Sequence, residues 1–360
     1  MLIVLGLPYS AGDLYAGTLD RNSLAVVINI DDPDSLALGR FYGDIRKLPR
    51  DNIIRVSLGW PEDALSGSAA AKLHKELEKK TPDNVQAYAL AWSRPYKAGC
   101  MSITTAVSFG YDTSFCASGC ERTRRSGYFD SPAGRPYDDY GFRPSMMLAG
   151  GSLEESMRLV RRGIESDYSR PRGKVLLMNT SDKNRNVRSI GYRNILKSFG
   201  SILDVNILDA DWTDTKVPVF MYFTGLKTVR YIDRLQFQPG AIADHLTSTG
   251  GVLFGGNQMS VLKWIEAGVT ASYGTVVEPC NFLQKFPAPG VLISHYLNGD
   301  SLIEAYWKSV EMPGQGLFVG EPLASPYKGC ELLYSGKDHR VRLVNRPAVM
   351  PMKERASCSN

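Results

Sequence analysis

Residues 24–56 read LAVVINIDDPDSLALGRFYGDIRKLPRDNIIRV, and this stretch decides the fold. Leu24–Ile30 is a continuous, mostly β-branched apolar run, which is typical of a strand buried on both faces of a parallel sheet. The next residues, 31–35, combine helix-capping Asp with an early Pro, and apolar residues then recur at helical spacing. Asp51–Leu58 is predicted as a second strand. The order strand, helix, strand favours a parallel sheet.

The same alternation continues along the chain. Ala69–Lys80 is predicted as a helix and Val85–Trp92 as a third strand. After an interruption, helices and strands are predicted at Leu153–Ser166, Lys174–Asn179, Tyr192–Phe199, Val205–Leu208, Val217–Phe223, Gly251–Phe254, Met259–Ala267, Val269–Val277, Ser301–Val310 and Leu317–Val319. We therefore expect an α/β protein with a mostly parallel central sheet flanked by helices on both faces.

The domain organisation follows from where this pattern starts, breaks and stops. Residues 21–330 are predicted to form a single α/β domain, with halves that meet near residue 150. Gly, Pro, Ser and aromatic residues dominate from about 94 to 148, which indicates a long irregular insertion. Residues 331–360 read as a basic tail, and residues 1–20 as an N-terminal segment or the remnant of a signal peptide.

Charge and hydropathy narrow the function classes. The chain has 360 residues with 42 basic and 37 acidic side chains, and the last 24 residues hold six basic against two acidic ones. The rest is balanced, which argues against a nucleic-acid partner. No apolar run is long enough for a membrane-spanning helix. The apolar N-terminus lacks the usual positive n-region, so we expect an extracytoplasmic protein with a clipped or atypical signal, with a cytoplasmic location as the alternative.

Six cysteines are too few for a disulfide-rich scaffold. Cys116 and Cys120 lie close together in a Gly/Ser-rich stretch, where a local disulfide or two free thiols are the alternatives. The second ligand pair of a zinc site is missing, so no metal site is predicted there. Neither a P-loop nor a dinucleotide-binding fingerprint is present, and no cofactor is predicted.

Ligands of open α/β sheets bind beyond the carboxyl ends of the strands. The polar residues that follow the predicted strands form a candidate binding rim, with Asp31, Arg94, Asp182, Thr224, Asn257 and Glu321 as candidate binding residues. Another interpretation places a metal or small-molecule site at Asp31, Asp32 and Asp182, if three or more oxygen ligands converge there.

Candidate catalytic residues follow the later strands. His245 is one of four histidines, and Cys280 comes directly after a predicted strand, where a nucleophile could be presented. Asp244 and Glu278 are nearby carboxylates that could assist in acid/base chemistry. A structural histidine and an unreactive cysteine are the alternative interpretations.

Several segments resemble a bacterial family of mostly exported proteins with no established activity. The matching segments include VVINIDDPDSLALGRFYGDIRKLPRDNIIRV, PGAIADHLTSTGG, GVTASYGTVVEPCNF and GDSLIEAYWKSVEMPGQGLFVGEPLASPY, within residues 24–327. The resemblance implies export but carries no catalytic residues.

A more distant resemblance is to the gingipain-like cysteine peptidases of the caspase-like fold. It rests on the order of elements around VFMYFTGL, VLFGGN and GVTASYGTVV, and on the final turn Gly320-Glu321-Pro322. In those peptidases one strand ends in His-Gly and a second ends in the nucleophilic Cys. Here Thr224-Gly225 stands at the first place and Gly255-Gly256-Asn257 at the second. The resemblance therefore implies a caspase-like fold without the catalytic pair.

The function expected from these observations is a non-catalytic, peptidase-like binding or structural domain, a pseudoenzyme with a protein or peptide partner. Its binding surface would combine the strand-end rim with the aromatic residues of the insertion, which are Tyr111, Phe115, Tyr128, Phe129, Tyr137 and Tyr140. The alternative is a hydrolase of the cysteine or acid/base type that uses His245 with Cys280 or a nearby carboxylate.

Overall fold

The computed structural model describes residues 19–60, 62–117, 119–334, 341–346 and 358. The N-terminal segment and most of the basic tail lie outside these residues. The strands are β1 (Leu24–Asn29), β2 (Ile53–Val56), β3 (Ala64–Leu65), β4 (Ala87–Leu90), β5 (Lys97–Ala98), β6 (Met101–Ser102), β7 (Ser145–Met147), β8 (Lys174–Met178), β9 (Asp204–Leu208), β10 (Val219–Thr224), β11 (Phe237–His245), β12 (Ala271–Thr275), β13 (Gly316–Gly320), β14 (Cys330–Tyr334) and β15 (Val341–Asn345).

The helices alternate with these strands. They are α1 (Pro33–Arg46), α2 (Gly67–Lys80), α3 (Ile103–Phe109), α4 (Pro136–Tyr140), α5 (Leu153–Ser166), α6 (Tyr192–Phe199), α7 (Leu262–Glu266), α8 (Pro289–Leu297) and α9 (Leu302–Lys308). Short 3-10 turns occur at Arg50–Asn52, Thr113–Phe115, Asn186–Gly191, Ile232–Arg234 and Leu283–Lys285. The predicted bounds of α5 and α6 are confirmed.

Ten strands form one sheet in the order β2-β1-β4-β7-β13-β12-β11-β10-β8-β9. Every neighbouring pair is parallel except β12 and β13, which are antiparallel. The expected α/β architecture with a mostly parallel sheet flanked by helices is thus present. Apolar clusters cover both faces of the sheet, and all six residues of β1 are buried.

The single antiparallel contact divides the sheet into two parallel halves that run in opposite directions. The first half is β2-β1-β4-β7 with β13 added, and the second half is β9-β8-β10-β11-β12. In each half the first strand lies between the second and the third in chain order. The sequence shows no internal repeat, so this shared strand order is visible only in the structure. The division of residues 21–330 into domain halves stays a prediction.

Local sequence explains the helix that follows β1. Asp32 caps α1 by accepting the Asp34 N–H at 3.0 Å, and Pro33 occupies the first turn, where its missing N–H costs nothing. Lys47 ends the helix in the left-handed conformation. Ser66 and Ser152 cap α2 and α5 in the same way as Asp32 caps α1.

Two strands of the sheet escape sequence analysis. β11 contains Pro239 and Gly240, a pair that breaks the strand pattern, and Gly240 has a positive φ of 84° beside a register shift against β10. β7 has only three residues and lies inside the predicted irregular insertion. That insertion also contains the buried helix α3, so it is less irregular than expected.

The predicted strand Gly251–Phe254 is wrong, because these residues form turns. Gly251 donates its N–H to Thr275 O at 2.9 Å, so the segment lies against the end of β12 and does not extend beside it. A Cβ at Gly251 would lie 2.5 Å from Gly274 O, which only a glycine avoids. The strand that pairs with β10 on this side is β11, and not the predicted strand Gly251–Phe254.

The six cysteines form three disulfides: Cys100–Cys116, Cys120–Cys280 and Cys330–Cys358. Both alternatives for Cys116 and Cys120 are therefore wrong, because each pairs with a more distant cysteine. Cys120 lies in the insertion of the first half and Cys280 in the turn after β12. This bridge joins the two halves covalently.

A buried ion cluster lies at Glu321, directly after β13, where the two halves of the sheet meet. The Glu321 carboxylate accepts Tyr42 Oη at 2.7 Å and Arg46 Nε at 3.0 Å, and Arg46 also bonds Asp167 at 2.5 Å. Tyr42 and Arg46 belong to α1, and Asp167 follows α5. Burial disfavours the Arg46 cation, but Glu321 and its neighbours outweigh that effect and raise the pKa of Arg46 above its usual value.

We expect Glu321→Ala to lower the free energy of unfolding by about 3–5 kcal/mol, because it leaves the Arg46 guanidinium buried without its main partner. Urea unfolding followed by circular dichroism measures this loss. The double variant Glu321→Met/Arg46→Met should lose less than the single one. The control is Glu154→Ala, which breaks an exposed ion pair with Arg158 and should cost about 0–1 kcal/mol. Equal losses in the two single variants would contradict this role of Glu321.

Candidate functional site

The carboxyl ends of β10 and β11 hold three of the predicted site residues side by side. Thr224 pairs with His245 in register, and both are buried. Arg188 donates to Thr224 O at 2.7 Å and lies 2.5 Å from the Asp244 carboxylate. Burial raises the pKa of Asp244, although the adjacent guanidinium opposes that shift. Asp244 thus compensates a buried cation and is shielded from solvent.

His245 is held on both sides by the protein itself. Its ring is 1% exposed. Trp264 Nε1 donates to His245 Nδ1 at 3.0 Å, so Nε2 carries the proton, which it donates to Met259 O at 2.9 Å. Burial lowers the pKa of His245 to about 4. Asp244 and His245 face opposite sides of the sheet, as adjacent strand residues do. A ring with both nitrogens bonded and no exposure is not available as a general base.

Cys280 has no thiol in this structure, because it is bonded to Cys120. Its backbone N–H donates to the Glu278 carboxylate at 2.8 Å within a turn after β12. Glu278 therefore stabilises the turn that presents the disulfide. The structure does not provide the thiolate and free imidazole that the cysteine hydrolase hypothesis requires.

The remaining predicted binding residues lie at two different edges of the sheet. Because the halves run in opposite directions, the ends of β1, β4 and β13 face one edge, while those of β8, β10, β11 and β12 face the other. The expected single polar rim is therefore wrong. Asp31, Arg94 and Glu321 follow strands of the first group, and Asp182, Thr224 and Asn257 follow strands of the second.

Several of these residues are already engaged. Asp31 accepts Ser57 Oγ at 2.6 Å and Gly59 N–H at 2.7 Å, and these bonds lower its pKa. Asp182 pairs with Arg185 at 2.9 Å. Glu321 is buried and bonds Tyr42 and Arg46, so its carboxylate is not open to a ligand. Asn257 is exposed in the loop between β11 and α7.

An open cleft of about 380 Å³ lies beyond the carboxyl ends of β1, β4 and β7. Its lining includes Asp32, Trp60, Arg94, Gly150, Leu153 and Phe254. This is the place where ligands of open α/β sheets bind, between strands whose connections leave in opposite directions. Asp32 begins α1 and Leu153 begins α5, so two helices start at its wall.

The cleft combines flat aromatic surfaces with charges of both signs. Trp60 is 77% exposed at its rim. The Arg94 guanidinium stacks on Phe254, with 3.6 Å from Cζ to the ring centroid, and its Nε donates to Asp63 at 2.6 Å. Ser93 Oγ donates to Gly150 O at 2.9 Å and closes the floor between β4 and β7. An exposed Trp beside a concave polar surface is typical of a ligand site.

Of the six aromatic residues expected to form a binding surface, two are buried, three are half-buried and one is exposed. Phe115 and Tyr128 are fully buried. Phe109 stacks on both Phe115 and Phe142, so these rings form a local core between the insertion and the sheet. Tyr137 is covered by the Arg143 guanidinium at 3.3 Å. Of the expected aromatic binding surface, Tyr140 is the most exposed large side chain, at 43%.

The described part of the chain offers no cluster of side chains that could hold a metal ion. No group of three or more His, Cys, Asp or Glu side chains there is placed to hold a metal ion. Asp31 and Asp182 follow strands that end at opposite edges, so the oxygen ligands of the site expected at Asp31, Asp32 and Asp182 do not converge.

Among the described residues, no helix has the length and apolar character needed to cross a membrane.

Comparisons with known proteins add no assignment. No protein-family model matches the chain, and no curated protein and no solved structure does so either. The cleft therefore has to be interpreted from its own geometry. Sequence reasoning found Arg94 and the acidic residues after β1 but missed Trp60, whose only signal is its place in the sequence Gly-Trp-Pro after the predicted strand Asp51–Leu58.

We expect the buried His245 to make the protein less stable in acid. Below its ordinary pKa of 6.5 the unfolded chain binds a proton that the folded ring refuses until about pH 4. The free energy of unfolding should therefore fall by up to about 3 kcal/mol as the pH drops through this window. His245→Gln keeps one donor and one acceptor without titrating and should lose less. Urea unfolding at several pH values measures both slopes.

The matched control is His74→Gln, because His74 is a half-buried histidine on α2 whose Nδ1 bonds Val107 O at 2.8 Å. That variant should keep the wild-type slope. If His245→Gln lost stability with pH as steeply as the wild type, the buried neutral ring would not be the source of the effect.

Proposed function

We propose that this protein is a non-catalytic binding domain of peptidase-like architecture that works outside the cytosol. In this proposal the cleft beyond β1, β4 and β7 holds a short peptide segment of a partner protein. One observation carries the non-catalytic part: all six cysteines are paired, and both ring nitrogens of His245 are bonded inside the protein. A cysteine peptidase needs a free thiolate beside an accessible base.

The order of elements supports the likeness to the gingipain-like, caspase-like peptidases. β10 and β11 are adjacent, β12 follows, and α8, α9 and β13 lead to the turn Gly320-Glu321-Pro322. With β11 in place of the predicted strand Gly251–Phe254, Thr224 and His245 stand at the two strand ends where those peptidases carry His and Cys. Neither of the two supplies the chemistry of the residue it replaces.

The disulfides support a location outside the cytosol. Paired cysteines persist in oxidising compartments and are rare where thiols are kept reduced. The three bridges close segments that span 16, 160 and 28 positions, and they use every cysteine of the chain. This agrees with the exported family that the sequence resembles.

The cleft suits a peptide for two reasons. Trp60, which is 77% exposed, offers an aromatic face to an apolar side chain. Arg94 and the exposed Asp34 offer charges of opposite sign on different walls. The cleft is also built on strand ends and helix starts, so its walls are set by the sheet.

We expect fewer than one reactive thiol per chain when the native protein is unfolded in guanidinium without reductant. A chromogenic disulfide reagent measures the count, and the same sample after reduction should give all six. Mass spectrometry of the non-reduced digest should recover the Cys120–Cys280 peptide. A free, rapidly labelled Cys280 would contradict the non-catalytic proposal.

We expect Trp60→Ala to weaken peptide binding by about tenfold or more, because aromatic anchors dominate the binding energy of such sites. The probe is the best binder selected from a displayed heptapeptide library on the immobilised protein, measured by fluorescence anisotropy. Trp212→Ala is the control, since Trp212 is 44% exposed on the second half and packs against Tyr231.

Two results would overturn the binding proposal. In the first, every selected peptide binds Trp60→Ala as tightly as the wild type. In the second, the wild type cleaves the peptide, seen by mass spectrometry after long incubation.

A further inference from the structure

A cluster of buried ionisable side chains lies between α8 and α9, and none of its members lines the cleft. Its members are His295 on α8, Asp300 in the connecting turn, and Glu304 and Lys308 on α9. His295 is 9% exposed and the other three at most 2%. Residues 126–131 of the insertion, here called the arm, pack against this cluster. Nothing proposed for the cleft uses these groups.

His295 lies between two carboxylates. Its Nδ1 is 2.9 Å from Asp300 Oδ2 and its Nε2 is 3.2 Å from Asp130 Oδ1. A carboxylate only accepts, so both contacts are hydrogen bonds only when the ring carries two protons. A neutral ring has one N–H and must turn a lone pair towards one of the two carboxylates. The doubly protonated ring therefore joins the arm to the α8–α9 turn.

Besides the His295 contact, the arm is attached by two main-chain hydrogen bonds and by the buried Tyr128, whose ring packs edge-on against Tyr140 and Phe142. Ser126 donates its N–H to Glu311 O and Asp130 donates its N–H to Lys308 O, both at 2.8 Å. Tyr128 is buried, with its ring 5.3 Å from Lys308 Nζ, and its hydroxyl has no hydrogen-bond partner among the described residues. Asp130 has a φ of 50°, a conformation that costs free energy in a residue other than glycine.

We propose that His295 and Asp130 form a proton-linked clasp that keeps the arm closed over the α8–α9 cluster and releases it when His295 loses a proton. When His295 loses a proton, Asp300 stays in place because it also accepts a hydrogen bond from Lys308 Nζ at 2.7 Å. The remaining N–H of the ring therefore stays bonded to Asp300. Asp130 has an exposed side chain and can turn to solvent. The contact that breaks is therefore the one to the arm.

The charged neighbours of His295 act in both directions: Asp130 and Asp300 raise its pKa, Lys308 lowers it, and the carboxylates prevail. Burial alone would lower the pKa of His295, but the bonds to Asp130 and Asp300 outweigh it and raise the pKa above 6.5. Burial raises the pKa of Glu304 to about 7. Asp300 stays ionised, because Lys308 and His295 hold its pKa at about 2 despite its burial. The buried Tyr128 ionises only far above this range.

Two groups of the closed form thus hold protons near neutral pH. A group whose pKa is raised in the closed form stabilises that form below its ordinary pKa, and loses this effect as the pH rises through the raised value. His295 and Glu304 share this sign. At low pH the charges of the cluster balance, and loss of both protons leaves Asp130, Asp300 and Glu304 against Lys308 alone. Rising pH therefore opens the arm.

Hydrogen–deuterium exchange of the full-length protein tests the clasp directly. The Ser126 and Asp130 amides report on docking, because both donate to main-chain oxygens near the end of α9. After correction for intrinsic exchange, we expect peptides over residues 126–131 to lose protection at least tenfold between about pH 5.5 and about pH 8.5. Peptides over β1 in the same sample serve as the internal reference and should keep theirs.

Two variants separate the clasp from general loosening. His295→Gln cannot bind the second proton, so the arm should be less protected at low pH and nearly independent of pH. Asp130→Asn leaves the cluster intact and should weaken protection of the arm alone. His74→Gln should behave as the wild type. The proposal is overturned if protection of the wild-type arm is flat over the range, or if His295→Gln keeps the wild-type slope.

Discussion

The buried Glu321 carboxylate anchors α1 to the end of β13, where the two halves of the sheet meet. It follows β13, the strand that belongs to the first half by direction and pairs with the second half across the one antiparallel contact of the ten-stranded sheet. From there it accepts Tyr42 and Arg46 of α1, while Arg46 also reaches Asp167 after α5. A buried guanidinium is tolerated only with such partners. The Gly-Glu-Pro turn is thus a structural device, although its place after a strand also made Glu321 a reasonable binding candidate.

The opposed directions of the halves decide where function can sit. In a sheet with one direction, all strand ends would share an edge, and the polar residues after them would form one site. Here Asp31 and Arg94 are separated from Asp182 and Thr224 by the height of the sheet. At the second edge the protein's own groups occupy the key positions: Arg188 binds Thr224 O and Asp244, and Trp264 binds His245. The first edge retains an open cleft with an exposed Trp60, and the cleft at the second edge lies between α6 and β9, away from Thr224 and His245.

Much of the fold could be predicted because burial on both faces leaves a clear apolar run. β1, β4 and β8 have such runs, and the serine-capped α5 was predicted to the residue. β11 could not be found, since Pro239 and Gly240 interrupt it and its strand character comes from pairing with β10. The partners of Cys116 and Cys120 depend on long-range packing that local spacing does not encode. For the same reason the sequence identified His245 as a notable residue but not the Trp264 and Met259 contacts that make it structural.

The bridge between Cys120 and Cys280 has a consequence for damage to the chain. It closes a covalent ring over a sequence separation of 160 that contains all five strands of the second half of the sheet. A protease that cuts once within that ring produces a nicked molecule whose two pieces stay attached through the disulfide. Such closure also reduces the entropy of the unfolded chain by a large amount, worth about 5 kcal/mol for a loop of this size. Tolerance to a single cut within residues 121–279 therefore follows from this one long-range bond.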